Sequence, residues 1–395
     1  MTVQDTLQAV RAHEDEFIAL RRDIHQHPEL PFEELRTSDL VAARLRDWGY
    51  HVERGLGGTG VVGQLKRGDG KRTLGLRADM DALPIQETTG LQYASRNQGV
   101  MHACGHDGHT AMLLAAAKVL AEQGDFSGTL NLIFQPAEEY GTSDCGAVRM
   151  INDGLFDKYP CDAVFSMHNM PGWPQGHLIF REGPMMASSD KVYITLVGHG
   201  GHGAVPHKTA DPVVAAASLV MALQTVVSRN VDPLQTAVVT VGVLQSGRAN
   251  NVIPDSAYLE LSVRALDSEV RSLLQQRITE IAHAQAQSFG VKAEIDYRRG
   301  YAALVNSKDE TDFARQIGSE LVGAERVVLQ APPLTGSEDF AFMLEKCPGS
   351  YLLIGNGDGD KLGACMVHNP GYDFNDANLA IGAAYWTLLA RRYLV

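Results

Sequence analysis

The sequence has few cysteines, no excess of basic residues and no long uninterrupted hydrophobic run. Its five cysteines are odd in number and irregularly spaced, which excludes the disulfide framework of a small secreted protein. A reducing, cytoplasmic setting is therefore expected. The 47 acidic residues outnumber the 34 basic ones, and the resulting net charge of −13 disfavours nucleic acid and anionic membranes as partners.

No segment of the sequence predicts a membrane span. The most apolar helical stretch runs from Val213 to Val227, where polar residues interrupt it, and it is predicted to be too short and too polar to cross a bilayer. The N-terminal segment is charged and amphipathic, and it lacks the apolar core of a signal peptide. We therefore expect neither a membrane nor a secretory route.

The chain has 395 residues, 45% of them hydrophobic, which is ample for a buried core and suggests two domains. Helix-like and apolar strand-like segments alternate in residues 1–185, a pattern typical of an α/β domain whose mostly parallel sheet is covered by helices. Residues 186–299 instead follow the order strand, helix, strand, strand, helix, strand, which predicts an inserted α+β unit of the ferredoxin-like kind. Residues 300–395 resume the α/β pattern and are assigned to the first domain.

The densest group of reactive side chains lies between Met101 and His109. Three histidines, Cys104 and one aspartate fall within eight residues, and only a glycine separates Cys104 from His106. Thiolate and imidazole are good ligands for zinc, manganese, cobalt or nickel, so the cluster predicts a metal site. The alternative is a polar loop that caps a helix beginning at Thr110.

Two adjacent carboxylates, Glu138 and Glu139, follow an apolar strand that ends near Phe134. Active sites of open α/β sheets lie at the carboxyl ends of the strands. One carboxylate there can bind a metal while the other takes a proton from the attacking water. Alternatively, both are acidic residues at the start of a helix, where such residues are common.

Other polar residues lie at the ends of predicted strands. His168 and His368 lie at strand-to-loop transitions where a ligand would be useful, but each alone is more typical of a hydrogen-bonded structural histidine. Asp79 or Asp81 can orient a ligand imidazole, unless it only pairs with Arg77.

The inserted unit carries three further candidates. His202 lies in the glycine-rich run from Gly198 to His207 and can donate a hydrogen bond to a developing oxyanion. Asn251 and Arg264 lie near strands and can hold a substrate carboxylate. Read alone, the run that carries His202 is also compatible with a flexible turn, and Asn251 and Arg264 are more often structural than functional.

Together, these motifs resemble the M20 family of metallopeptidases, and within it the hippurate hydrolase and aminoacylase-like amidohydrolases. The resemblance covers nearly the whole chain, in order. The matching motifs are Arg21-Arg-Asp-Ile-His-Gln-His-Pro-Glu-Leu30, Arg77-Ala-Asp-Met-Asp-Ala-Leu-Pro84, His102-Ala-Cys-Gly-His-Asp-Gly-His109, Gln135-Pro-Ala-Glu-Glu139, Gly201-His202 with Pro206-His207, Asn251-Val-Ile-Pro254, Gly336-Ser-Glu-Asp-Phe340 and His368.

The resemblance implies a role for each candidate residue. Glu138 would act as general base and then general acid, with Asp79 among the catalytic residues, and His202 would reach the scissile carbonyl from the partner subunit of a dimer. Asn251 and Arg264 would contact the substrate carboxylate. The implied ligands of two divalent cations per subunit, manganese or zinc with cobalt or nickel as alternatives, are Cys104, His106, Glu139, His168 and His368.

The implied fold is a zinc-peptidase-like catalytic domain with an inserted lid and dimerisation domain, and the implied substrate is a small N-acylated amino acid. One departure from the family pattern is visible, because Tyr140 follows Glu139 where many relatives have a string of glycines. Three alternatives stay open at this point. They are thiol catalysis by Cys104, a non-catalytic metal-binding protein, and a dipeptidase or carboxypeptidase with the same two-metal machinery.

Overall fold

The computed structural model describes residues 2–395. Its α-helices are α1 (Val3–Arg11), α2 (Glu14–Gln26), α3 (Leu35–Asp47), α4 (His106–Gln123), α5 (Gly146–Asn152), α6 (Leu155–Lys158), α7 (Pro212–Asn230), α8 (Ser268–Ser288), α9 (Lys308–Val322), α10 (Phe340–Leu344) and α11 (Asn378–Tyr393). Short 3-10 turns are formed by Glu138–Tyr140, Pro206–Lys208 and Ala324–Arg326.

The strands are β1 (His51–Leu56), β2 (Gly60–Arg67), β3 (Thr73–Asp79), β4 (Gly128–Gln135), β5 (Ala163–Pro171), β6 (Leu178–Ile179), β7 (Gly183–Met186), β8 (Asp190–Val197), β9 (Gly201–His202), β10 (Ala237–Ser246), β11 (Val252–Ile253), β12 (Ser256–Ala265), β13 (Lys292–Arg299), β14 (Leu304–Asn306), β15 (Val327–Val328) and β16 (Gly349–Gly357).

The chain divides into two compact units. The first comprises residues 2–183 together with Val305–Pro332 and Asp339–Val395, and the second comprises Pro184–Leu304 and Pro333–Glu338. The short segment Pro333–Glu338 thus belongs to the second unit, although segments of the first unit flank it on both sides in the sequence. Local sequence patterns do not indicate this assignment.

The first unit is built on an eight-stranded sheet in the order β1-β2-β4-β3-β5-β16-β6-β15. Its central strands β4, β3, β5 and β16 run parallel, and the antiparallel pairings involve β1, β2 and β6 nearer its margins. The central strands are almost wholly buried because helices such as α4 and α11 cover them. This arrangement confirms the predicted α/β class.

The second unit contains a four-stranded antiparallel sheet in the order β10-β12-β8-β13. Alternate residues of β8 are buried, so Val192, Ile194 and Leu196 pack into the core that α7 and α8 share with the sheet. The predicted α+β unit, with two helices and four main strands, is confirmed in this unit.

By length and composition alone, α7 is apolar enough to cross a membrane. In this unit, however, its residues Ala215, Leu219 and Leu223 pack with the apolar face of the sheet. A core helix of a globular unit passes the same test, so this helix is weak support for a membrane protein.

Candidate metal centre

The ends of three parallel strands bring the candidate residues of the first unit together. Asp79 ends β3 and pairs in register with Gln135, which ends β4 and is followed by Glu138 and Glu139. His168 lies near the end of β5, the next strand of the sheet. Because parallel strands end at the same edge of a sheet, residues distant in sequence converge there.

Gly105 shapes the turn that carries Cys104 and His106. It has φ +89°, and a Cβ atom at this position would lie only 2.2 Å from Asn169 Nδ2 and 2.4 Å from Tyr372 Oη. Glycine therefore both permits the left-handed turn and makes room for it. Helix α4 begins directly after it, at His106, rather than at the predicted Thr110.

The thiol of Cys104 lies at the junction of two groups of ligand atoms. In each group the Sγ, nitrogen and oxygen atoms all lie within 4.8 Å of one another. One group consists of Cys104, His106 and His168, and the other of Cys104, Glu139 and His368. The five residues that the sequence predicted as ligands are therefore brought together, with the thiol common to both groups.

The ring orientations of His106 and His168 suit metal binding. Nδ1 of His106 lies 3.1 Å from Asp81 Oδ1, and Nδ1 of His168 lies 2.6 Å from the carbonyl oxygen of Asn169. Both oxygen acceptors require a proton on Nδ1. The lone pair of each ring is therefore on Nε2, where it is available to bind a cation. Nε2 of His106 is buried and has no hydrogen-bond partner within residues 2–395, as expected of a nitrogen that binds a cation.

Glu139 and His368 face each other across the second group. Oε1 of Glu139 lies 2.9 Å from Nε2 of His368. The backbone N–H of Glu139 donates to Asp81 Oδ2 at 2.8 Å, so one carboxylate supports both Glu139 and His106. His368 has the uncommon φ of +64°, and its N–H donates to the carbonyl of Ala103 at 2.7 Å. These backbone hydrogen bonds fix the positions from which the side chains of Glu139 and His368 extend.

Buried opposite charges set the electrostatics of the centre. Burial lowers the pKa of His106, but the charges of Asp79, Asp81 and Glu139 outweigh it and raise that pKa to about 10. Burial, followed by the charges of Glu139 and Glu138, raises the pKa of the Cys104 thiol well above its usual value. A nucleophilic cysteine needs a lowered pKa, whereas a bound cation deprotonates a thiol directly. The surroundings of Cys104 thus suit a ligand better than a nucleophile.

The two remaining histidines of the cluster lie outside both groups. His109 Nδ1 lies 2.6 Å from Asp79 Oδ1, and its Nε2 accepts a hydrogen bond from the backbone N–H of Asn169 at 2.9 Å. His102 is buried, and neither of its ring nitrogens has a hydrogen-bond partner in the described chain. Burial lowers the pKa of His102 to about 3.

The structure distinguishes Asp79 from Asp81, which the sequence does not. Asp79 contacts His109 and the buried guanidinium of Arg77, and its closest approach to His106 Nε2 is 3.9 Å. The direct hydrogen bond to His106 belongs to Asp81. Asp79 as a catalytic residue therefore stays a prediction, and Asp81 is the carboxylate placed to orient a ligand.

Glu138 is buried beside the ligand groups, with its Oε2 4.0 Å from His106 Nε2. One of its carboxylate oxygens also lies within 4.8 Å of potential ligand atoms of both His106 and Glu139. The adjacent carboxylates make different contacts, since Glu139 Oε1 lies 2.9 Å from His368 Nε2 and Glu138 Oε2 lies 4.0 Å from His106 Nε2. This difference allows one carboxylate to bind metal while the other exchanges a proton with a reactant.

Three predicted site residues belong to the second unit. His202 lies on β9, opposite Val252 of β11, and its Nδ1 accepts a hydrogen bond from the backbone N–H of Ala204 at 3.0 Å. The carbonyl of Asn251 accepts from Gly203 N–H at 2.8 Å, so Asn251 and His202 belong to one turn region. Arg264 is half-buried on β12 and donates to Ser337 Oγ at 3.1 Å. Their roles toward substrate stay predictions.

Tyr140, the departure from the family pattern, packs against Phe32 with ring centroids 4.9 Å apart. The guanidinium of Arg149 lies 3.8 Å from the Phe32 ring centroid and is paired with Asp144. Tyr140, which directly follows Glu139 in the chain, therefore forms an aromatic pair with Phe32, against which Arg149 packs.

We expect Asp81→Asn to weaken metal binding more than Asp79→Asn does. Loss of the carboxylate that supports both His106 and Glu139 should reduce metal affinity by roughly 10- to 100-fold, the usual effect of removing an outer partner of a metal ligand. Competition with a fluorescent chelator measures the affinity. Equal affinities for the two variants would contradict the assignment of Asp81 as the orienting carboxylate.

Known proteins are similar to this chain in both sequence and fold. It is 47% identical to a hippurate hydrolase of Campylobacter jejuni over 96% of this chain and 97% of that protein. It is 40% identical to an N-acetyl-L-cysteine deacetylase of Bacillus subtilis, over 94% and 86% of the two chains. The crystal structure of YxeP from Bacillus subtilis, described as a dinuclear metal-binding peptidase of family M20, matches with a TM-score of 0.83 and 32% identity over 97% of this chain and 99% of that one.

The sequence model of Peptidase family M20/M25/M40 matches residues 75–392. This range includes Glu138 and all five residues of the two ligand groups, and it also spans the second unit. The predicted family resemblance is thereby confirmed, and the chain belongs to the M20 peptidase family.

Proposed function

We propose that this protein hydrolyses the amide bond of small N-acyl amino acids and releases a carboxylic acid and an amino acid. The observation that carries the proposal is the buried Glu138 carboxylate, 4.0 Å from a histidine nitrogen that is oriented to bind metal. A metal-storage or scaffold protein has no use for a second carboxylate in that place. Similarity to a hippurate hydrolase and an N-acetyl-L-cysteine deacetylase supports amides of this kind as substrates.

The centre is proposed to hold two divalent cations, for which Cys104, His106, Glu139, His168 and His368 would be the ligands. Two ligand groups that share one thiol support this number, as does the dinuclear relative YxeP. A mixed set of sulfur, imidazole and carboxylate ligands suits manganese or zinc, with cobalt and nickel as further candidates.

When bound, the cations supply Lewis acidity and lower the pKa of water at the centre toward neutrality. Glu138 takes the proton of the attacking water on its carboxylate and delivers it to the leaving amine nitrogen. His202 is proposed to donate a hydrogen bond to the oxygen of the scissile carbonyl. Asn251 and Arg264 are proposed to hold the carboxylate of the amino acid, since a guanidinium binds carboxylates through two parallel hydrogen bonds.

The second unit is proposed to serve as a lid and as the dimerisation domain. Its edge strand β10 and the exposed side chains of Val213, Val214 and Met221 on α7 offer unpaired backbone and apolar surface for a second copy. A cytoplasmic location is proposed because all five cysteines are free and a reducing compartment keeps them so.

A panel of N-acyl amino acids and dipeptides, each assayed with the separate metals, tests the function. We expect hydrolysis of benzoyl-glycine or N-acetyl amino acids to exceed that of dipeptides, to stop with a chelator and to return when metal is added. A preference for dipeptides would favour the peptidase alternative. Activity that persists in the metal-stripped protein would favour thiol catalysis by Cys104 and contradict the proposal.

A further inference from the structure

Glu34 is a fully buried carboxylate that joins three separate segments of the first unit. Its Oε1 accepts hydrogen bonds from the backbone N–H groups of Phe32 at 3.0 Å and Ala137 at 2.8 Å. Its Oε2 accepts a hydrogen bond from the hydroxyl of Thr59 at 2.5 Å. A carboxylate removed from water is stable only with such donors, so these three contacts fix its position.

Two of these partners have backbone conformations that L-residues rarely adopt. Phe32 has φ +67° and Ala137 has φ +51°, both in the left-handed region. The Cβ atom makes this region unfavourable for residues other than glycine, and it persists only where the surroundings hold it. At Ala137, the hydrogen bond from its own N–H to Glu34 stabilises the left-handed conformation.

Ala137 directly precedes Glu138, the proposed base. The left-handed conformation of Ala137 turns the chain out of β4 and into the 3-10 turn Glu138–Tyr140. On the other side, the N–H of Glu139 donates to Asp81 at 2.8 Å. The backbone is therefore anchored to one buried carboxylate before Glu138 and to another after it.

We propose that Glu34 is a positioning residue for the reaction: by holding Ala137 in its left-handed conformation, it directs Glu138 toward the reacting centre. The inference rests on the proposed function, in which Glu138 transfers the proton. Asp81 holds Glu139 independently, so loss of the Glu34 contact should misplace the base more than the metal ligand. Misplacement of a catalytic group by about 1 Å can cost on the order of 100-fold in rate.

The proposed role of Glu34 depends on the length of its side chain rather than on its charge. Burial, and then the neighbouring charge of Asp81, raise its pKa to about 7, so a neutral side chain is tolerated in this place near neutral pH. Glutamine retains an oxygen at the distance of Oε1, whereas aspartate retains the charge but withdraws it by one methylene group.

The test compares Glu34→Asp with Glu34→Gln on a substrate that the wild-type protein hydrolyses. We expect Glu34→Asp to lower kcat by about 10- to 100-fold with KM and metal content nearly unchanged, and Glu34→Gln to stay within about 3-fold of wild type. Thr59→Val is the matched control, since it removes a donor to the same carboxylate but leaves the hydrogen bond to Ala137 in place, and its kcat should fall less than that of Glu34→Asp.

Two further measurements separate positioning from general loss of structure. Hydrogen exchange at the backbone amide of Ala137, measured on the metal-free protein, should be faster in Glu34→Asp but not in Glu34→Gln. Adding Ala137→Gly to Glu34→Asp should restore kcat several-fold, because glycine adopts the left-handed conformation without the hold.

Wild-type kcat in Glu34→Asp, or equal impairment of the Asp and Gln variants, would overturn the inference. It would also be overturned if Glu34→Asp lost metal in proportion to its rate. A wild-type protein that hydrolyses no substrate of the panel would instead refute the proposed function, while the exchange measurement would still report on the hold.

Discussion

Glu138→Gln is expected to bind metal as the wild-type protein does and to turn over about 100- to 10,000-fold more slowly, the usual contribution of general acid–base catalysis. A carboxamide keeps the shape of the side chain but has no basic oxygen to accept the proton of water. The side chain belongs to neither ligand group of Cys104, so the cations should keep their ligands. The loss should appear in kcat, since proton transfer belongs to the chemical step.

The control is the same substitution one residue later, Glu139→Gln. This variant loses the negative charge and one of the two oxygens of the carboxylate that faces His368, and it is expected to lose metal as well as activity. Elemental analysis by mass spectrometry measures the metal in both variants, and steady-state kinetics measures kcat. A fully active Glu138→Gln would show that the base is elsewhere. A metal-free Glu138→Gln would identify Glu138 as a ligand, which its distance to His106 and Glu139 makes a real test.

The convergence of the ligands could be predicted because it follows from sheet topology. Each of Glu139 and His168 is preceded by an apolar run that reads as a buried strand, and parallel strands end at one edge. The sequence pattern also predicted the parallel core and the helices that cover it. The functional roles of the ligand residues stay predictions until variants are measured.

Other features could not be predicted, for physical reasons. The first turn of α4 is polar and buried, because His106 and His109 face partners in the centre, so hydrophobic periodicity placed its beginning at Thr110. The choice between Asp79 and Asp81 depends on side-chain direction at the end of β3, which spacing does not reveal. Glu34 lies 103 residues from Ala137, and its contact with a backbone N–H leaves no signal in the side chain at that position.

Cys104→Ala is expected to weaken the binding of both cations, since the thiol is the one atom common to the two ligand groups. Loss of an outer partner of a metal ligand costs 10- to 100-fold in affinity, so loss of a shared direct ligand should cost more than about 100-fold. Activity should fall with metal content. Ligand variants that affect a single group, His168→Ala and His368→Ala, should each release metal more selectively, which metal titration followed by calorimetry can resolve.

Cys104→Asp separates the ligand role of the sulfur from a nucleophilic one. An aspartate supplies a carboxylate whose two oxygens can bind cations, so the variant should keep part of both the metal and the activity. If Cys104 instead attacked the amide carbon, aspartate would abolish turnover even with metal bound. The buried thiol, whose pKa is raised by its surroundings, argues for the first outcome, because an attacking cysteine depends on a thiolate that forms readily without a cation.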